Sequence, residues 1–166
     1  SGSISFGNEN LTTTGTITGN SFSSSGTTHA LGTIAISGNT ISSSNAAAIK
    51  TDGTLWAWGH NGYGQLGQNG PVNSDRSSPI QIPGTTWSTF DVGANSMLAT
   101  KTDGTLWSWG YNNLGSLGVN NRTEYSSPIQ IPGTTWTDEV NMGNATTFGG
   151  VATKTDGTLW AWGSNF

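Results

Sequence analysis

Catalysis needs nucleophiles, acids or metal ligands that converge, and this chain of 166 residues carries no cysteine, two histidines and nine acidic residues. His29 sits in a Thr-Thr-His-Ala stretch, and His60 takes a position held by Tyr111 and Ser164 elsewhere in the chain, so neither recurs. Both read as solvated loop residues. Asp52, Asp103 and Asp156 do recur, each followed by a glycine (Gly53, Gly104, Gly157), yet no second acid recurs beside them to complete an oxygen cage for calcium. Asp-Gly between an apolar stretch and Thr-Leu-Trp instead marks a β-hairpin, because glycine tolerates the positive φ that the turn requires. Outside the turns, Asp75, Asp91, Glu124, Asp138 and Glu139 are the carboxylates that could flank a glycan, and no two share a motif. Lys50, Lys101 and Lys154 stand next to the turns, where they either end a strand or form a ring that attracts an anion. The run Gly62–Gly67 is not a phosphate loop, since it lacks Gly-Lys-Ser/Thr and no helix follows. The chain reads as a non-enzyme with no cofactor and no metal.

The elements that must position these residues follow from composition and repetition. Only 8% of residues are charged and 25 are glycine, but eight are tryptophan, which argues against disorder and for strands joined by turns. Five basic residues leave no stripe to neutralise phosphates, which excludes nucleic acid as a partner. There is no apolar run of membrane-spanning length and no leader of the secretory kind, so no membrane insertion is expected. Without cysteine, packing and hydrogen bonds must hold the fold. Ser1 in place of Met suggests a chain cut from a longer product.

Residues 1–45 are rich in Thr, Ser, Gly and Asn, with single apolar residues such as Ile4, Phe6, Leu11, Ile17, Phe22, Ile34 and Ile36 among them. This is either a flexible linker or a strand-rich stalk whose sparse apolar row is buried by identical chains around an axis. The wording Asn10–Gly19 (Asn-Leu-Thr-Thr-Thr-Gly-Thr-Ile-Thr-Gly) resembles repetitive segments of phage tail fibres and other virion appendages.

Residues 46–166 are repetitive. Lys-Thr-Asp-Gly-Thr-Leu-Trp recurs at Lys50–Trp56, Lys101–Trp107 and Lys154–Trp160, periods of 51 and 53 residues. Ser-Ser-Pro-Ile-Gln-Ile-Pro-Gly-Thr-Thr-Trp recurs at Ser77–Trp87 and Ser126–Trp136. Units near 46–96, 97–149 and 150–166 are therefore expected, two complete and a third cut short. In each, the paired tryptophans (Trp56 and Trp58, Trp107 and Trp109, Trp160 and Trp162) share one strand face and can stack one unit on the next. The glycine-rich string that follows, Gly59–Gly67 and again Gly110–Gly118, suits a tight loop.

The string Asp-Gly-x-Leu-Trp-x-Trp-Gly-x-Asn-x-x-Gly-x-Leu-Gly resembles the repeat of the regulator of chromosome condensation family, with Ser116 where that family favours Gln, as at Gln65. The resemblance implies a β-propeller with four short strands per repeat, and relatives that act as exchange factors for small GTPases or as secreted β-lactamase inhibitors. Propellers of this family close with about seven blades, on the order of 350 residues. Either this chain is part of a longer one, or identical chains each donate about two blades to a ring.

The expected fold is thus all-β, a partial propeller preceded by a stalk that associates with other copies, a trimer being the favoured state. The loops that differ between repeats, Gln68–Arg76 against Val119–Tyr125 and Thr137–Gly150 against Ser88–Ala94, are the expected contact surface. Within them Arg76, Arg122, Glu124 and Tyr125 have the character of binding hot spots. Asn10, Asn121 and Asn144 meet the glycosylation pattern, which matters only in a host that uses it. The leading expectation is a virion or cell-surface appendage that presents its loops to a receptor, a glycan or a neighbouring subunit. The alternative is a soluble protein-binding propeller, and a carbohydrate-active enzyme is a distant third.

Overall fold

The computed structural model describes residues 45–143 and 149–164. Apart from Asn45, the stalk or linker expected over 1–45 lies outside the described residues, as do His29 and the glycosylation patterns at Asn10 and Asn144. Every regular element among the described residues is a strand: β1 (Asn45–Ile49), β2 (Leu55–Gly59), β3 (Arg76–Gln81), β4 (Trp87–Val92), β5 (Ser96–Lys101), β6 (Leu106–Gly110), β7 (Tyr125–Ile131), β8 (Trp136–Met142), β9 (Gly149–Lys154) and β10 (Leu159–Gly163). They form three antiparallel sheets, β1-β2-β3, β4-β5-β6-β7 and β8-β9-β10. The all-β partial propeller expected from the repeats is what the chain forms.

Sheets and sequence repeats are out of step by one strand. β4 ends the first sequence unit, yet it pairs with β5 and opens the second sheet. β8 likewise pairs with β9, Trp136 lying opposite Lys154. The first sheet accordingly holds counterparts of β5, β6 and β7, and the third holds counterparts of β4, β5 and β6. Pro79 and Pro128 fall in β3 and β7, the edge strands, where a missing N–H breaks no ladder.

The hairpins sit at the three Asp-Gly sites. Gly53 N donates to Lys50 O and Lys50 N to Thr54 O, both at 2.9 Å, and the pattern repeats at Lys101–Thr105 and Lys154–Thr158. Gly53, Gly104 and Gly157 have φ of 76°, 76° and 83°. The aspartates are not in the left-handed region, so each loop is the three-residue kind with glycine closing a bulge, not a two-residue turn.

Cross-strand partners share a face, so β5 and β6 sort their side chains cleanly. Met97 and Ala99 lie opposite Trp109 and Trp107, while Leu98 and Thr100 lie opposite Ser108 and Leu106. Each sheet therefore has a Trp face and a Leu face. Leu55 and Ala57 of the first sheet, with Leu66 and Ile82, pack on Trp87, Met97, Ala99 and Trp109 of the second. Leu98, Leu106 and Ile131 then pack on Trp136, Met142 and Ala152 of the third. Each fully buried leucine contributes about 1.5–3 kcal/mol, which makes these two interfaces the core.

Successive first strands approach closely. The Ser88 and Thr100 hydroxyls donate to the two oxygens of Asp138, each at 2.7 Å, and Met142 N donates to Asp91 Oδ2 at 2.6 Å. A Cβ on Gly93 would lie 2.7 Å from Gly143 O, which leaves room only for glycine.

Candidate functional site

The recurring heptapeptide is spent on structure. Asp52 Oδ1 accepts from Thr54 N at 3.0 Å and from Thr54 Oγ1 at 2.6 Å, and Thr54 Oγ1 in turn accepts from Trp56 Nε1 at 2.9 Å. The same relay joins Asp103, Thr105 and Trp107, and again Asp156, Thr158 and Trp160. The threonine hydroxyl and amide, helped by the neighbouring lysine, hold all three aspartates below the usual carboxylate range. Lys101 Nζ lies 4.7 Å from the Trp87 ring centre and 4.4 Å from Trp107, and Lys154 lies 4.6 Å from Trp136 and 4.3 Å from Trp160. Lys50 lies 4.3 Å from Trp56. These ammonium groups sit over indole faces, where the ring quadrupole attracts them, which argues against a ring of free lysines collecting an anion.

In the second and third pairs the second tryptophan reaches back to the preceding sheet. Trp109 Nε1 donates to Gln65 O and Trp162 Nε1 to Ser116 O, both at 2.9 Å. The indole lies so close that a Cβ on Gly67 or Gly118 would meet it at 2.8 or 2.9 Å. Gly64 and Gly115 hold equivalent places at φ of 79° and 76°, but their surroundings differ. A Cβ on Gly64 would meet Ser126 Cα at 2.6 Å, whereas one on Gly115 would meet nothing within 4 Å.

Loops 60–75 and 111–124 form the rim, and a buried asparagine pins each. Asn61 Oδ1 accepts from Leu66 N at 3.0 Å while its amide donates to Ser74 Oγ at 3.0 Å. Asn112 Oδ1 accepts from Leu117 N at 2.9 Å while its amide donates to Thr123 O at 2.8 Å. Sequence reasoning passed over this pair, although the spacing Trp-Gly-x-Asn recurs at Trp58 and Trp109.

On this frame Arg122 and Glu124 are exposed loop residues. Tyr125 is half-buried at the head of β7, its hydroxyl accepting from Asn121 Nδ2 at 3.0 Å. Arg76 heads β3 and is exposed; it and Tyr125 hold equivalent places opposite Gly59 and Gly110. Arg122 and Trp162 line a cleft of about 520 Å³ beside Gly115 and Asn120. At the preceding junction the equivalent place is filled by β7, with Asn69 N donating to Ser126 O at 2.7 Å and Tyr63 edge-on to Tyr111 at 4.8 Å.

The non-turn carboxylates do not converge on a cleft. Asp91 and Asp138 join first strands, as above. Asp75 accepts from Asn61 N at 2.9 Å and lies 3.1 Å from His60 Nδ1. Glu139 accepts from Thr153 Oγ1 at 3.3 Å. Among the described residues no group of three His, Cys, Asp or Glu could hold a metal.

Antiparallel sheets stacked Leu face on Trp face, and tied by an indole to the loop before, define a segment of a β-propeller. The Regulator of chromosome condensation (RCC1) repeat matches residues 52–99 and 103–148, and the chain belongs to this family. It is 31% identical over 126 residues to E3 ubiquitin-protein ligase HERC2 of Homo sapiens, covering 73% of this chain and 2% of that protein. It is 34% identical over 77 residues to Protein RCC2 homolog of Xenopus laevis, covering 46% and 15%. Among solved structures, yeast RCC1 (Prp20) bound to Kap60 is 20% identical with a TM-score of 0.60, covering 72% of this chain and 30% of that one. Prp20p of Saccharomyces cerevisiae, described with its binding to Gsp1p and histones, is 19% identical with a TM-score of 0.61, covering 72% and 31%. The structural likeness speaks for the fold, and the chain spans only a small part of these relatives.

Proposed function

We propose that this chain is a protein-interaction module, with the rim loops 60–75 and 111–124 as its partner surface. The observation that carries the reading is a division of labour: Asn61 and Asn112 pin both loops in the same way, while the loops project different exposed side chains, Arg122 and Glu124 among them. The printed descriptions of two solved relatives, bound to Kap60 and binding Gsp1p and histones, support a protein as the class of partner. A non-enzymatic role is supported by Asp91 and Asp138 being engaged by hydrogen bonds from neighbouring strands.

The test is a photo-crosslinking residue at position 73 or 122, with position 134 on an exposed turn as the control. One protein captured from both rim positions and not from the control supports the reading. Capture from the control alone overturns it. A virion or cell-surface setting, with oligomerisation and a receptor or glycan as partner, is carried by the composition of residues 1–45 alone. It stands behind the protein-binding reading.

A further inference from the structure

Asn-Gly occurs twice in the sequence, at Asn61-Gly62 and Asn69-Gly70, and both fall on the rim loop 60–75. An asparagine before glycine is open to self-modification, because glycine has no side chain to hinder attack by its backbone nitrogen on the asparagine amide carbon. The fold treats the two sites differently. Asn61 is 4% exposed, its side-chain oxygen accepting from Leu66 N and its amide donating to Ser74 Oγ. The His60 ring crowds Gly62, where a Cβ would lie 2.5 Å from Nε2. Asn69, by contrast, is exposed. Among the described residues neither its side-chain amide nor Gly70 N has a hydrogen-bond partner. A Cβ on Gly70 would meet nothing within 4 Å, so there is room for a ring to close. The three Asp-Gly hairpins are shut to the same chemistry: the glycine nitrogens at 53, 104 and 157 donate to the lysine carbonyls, and the aspartate oxygens are held by threonine.

We infer that Asn69 is a site of self-catalysed deamidation, and that the conversion unseats β7 from the rim loop. Gly70 N, losing its proton, attacks Asn69 Cγ; the new N–Cγ bond closes a succinimide, and Nδ2 leaves with that proton as ammonia. Water then opens the ring at either carbonyl. Opening at Cγ gives aspartate, and opening at the main-chain carbonyl gives isoaspartate, in which the chain runs through Cβ and Cγ. The position of Asn69 gives this product a consequence. Asn69 N donates to Ser126 O of β7 at 2.7 Å, and the residue sits at φ of 51°, in the left-handed region that asparagine tolerates. Isoaspartate adds a carbon to the main chain at the residue that makes this bond, so Asn69 N and Gly70 cannot both keep their places. The chemistry belongs to the loop itself and holds whether or not the rim binds a protein.

The folded full chain, incubated in mildly alkaline buffer and sampled over time, tests the inference, with peptide mass spectrometry locating the exchange of NH for O. Enzymatic methylation specific for isoaspartate identifies the product. Conversion is expected at Asn69 at least about tenfold faster than at Asn61, whose bonds must first break to reach a minority open form. In urea the two sites are expected to react at similar rates, which assigns the difference to the fold. Gly70→Ala, for which the loop has room, is expected to slow Asn69 several-fold by hindering the attacking nitrogen while leaving the fold intact. Aged wild type is expected to unfold at a lower urea concentration than fresh protein, and equally aged Gly70→Ala to show a smaller loss. Equal rates at Asn61 and Asn69 in the folded chain overturn the inference, as does an Asn69 that converts only in urea. A folded Gly70→Ala chain that converts as fast as wild type overturns Gly70 N as the nucleophile. Full conversion with an unchanged unfolding midpoint overturns the unseating of β7.

Discussion

Gly64 and Gly115 permit a controlled measurement of what one sheet gains from the next. Both are left-handed, at φ of 79° and 76°, so an alanine at either carries the same backbone strain, about 1–2 kcal/mol. At Gly115 the strain is the whole cost, since a Cβ would meet nothing within 4 Å. At Gly64 the Cβ would lie 2.6 Å from Ser126 Cα and 3.3 Å from Ser126 N. These are backbone atoms and cannot swing aside. Overpacking of this kind costs about 1–3 kcal/mol, and pushing β7 away also loosens the bond from Asn69 N to Ser126 O, worth about 0.5–1.5 kcal/mol. Gly64→Ala is therefore expected to destabilise by about 2–4 kcal/mol more than Gly115→Ala. Urea unfolding followed by tryptophan emission, with equal slopes for both variants, reads the difference. Equal midpoints for the two variants would refute the claim that β7 is seated on the preceding loop.

Three further outcomes follow from the repeated motifs. The aspartates at 52, 103 and 156 have lowered pKa values, chiefly through the following threonine's hydroxyl. Their contribution to stability is present above the ordinary carboxylate value of 3.8 and is lost as pH falls through the lowered folded value. Thermal melts from pH 5 to 2 should show that loss, and a triple Asp→Asn variant should show a shallower one. Lys101→Met removes a cation from two indoles and Lys50→Met from one described indole; at about 0.5–1 kcal/mol per exposed contact, the first should cost roughly twice the second in a denaturant titration. Trp109→Phe leaves the Gln65 carbonyl unpaired in a buried site and is expected to cost about 2–4 kcal/mol, more than Trp162→Phe, whose indole is only half-buried.

The hairpins and the two faces of β6 were legible because their signals are local: Asp-Gly between strands, and tryptophans two apart. The turn geometry was less so, since Asp-Gly is compatible with a two-residue loop and only the bonds at Lys50 and Thr54 distinguish the three-residue form. The offset between repeat and sheet was not legible at all. A periodic sequence has no marked starting point, and the pairing of β4 with β5 is decided by hydrogen bonds that the period does not encode. Asp91 and Asp138 stood out only as unplaced acids, because neither recurs and their partners lie 38 to 51 residues away in the chain. The lysines over tryptophan become visible only once the hairpin folds the two ends of the heptapeptide together.

The one-strand offset also bears on how such a chain lengthens. A duplicated stretch of one period, wherever its breakpoints fall, restores one whole sheet and one whole Leu-to-Trp junction, because the repeat is continuous across sheet boundaries. Recombination therefore needs no respect for domain edges, and copy number can change without a misfolded intermediate length. A cut at the same arbitrary point severs a sheet and leaves both fragments with unpaired strand edges.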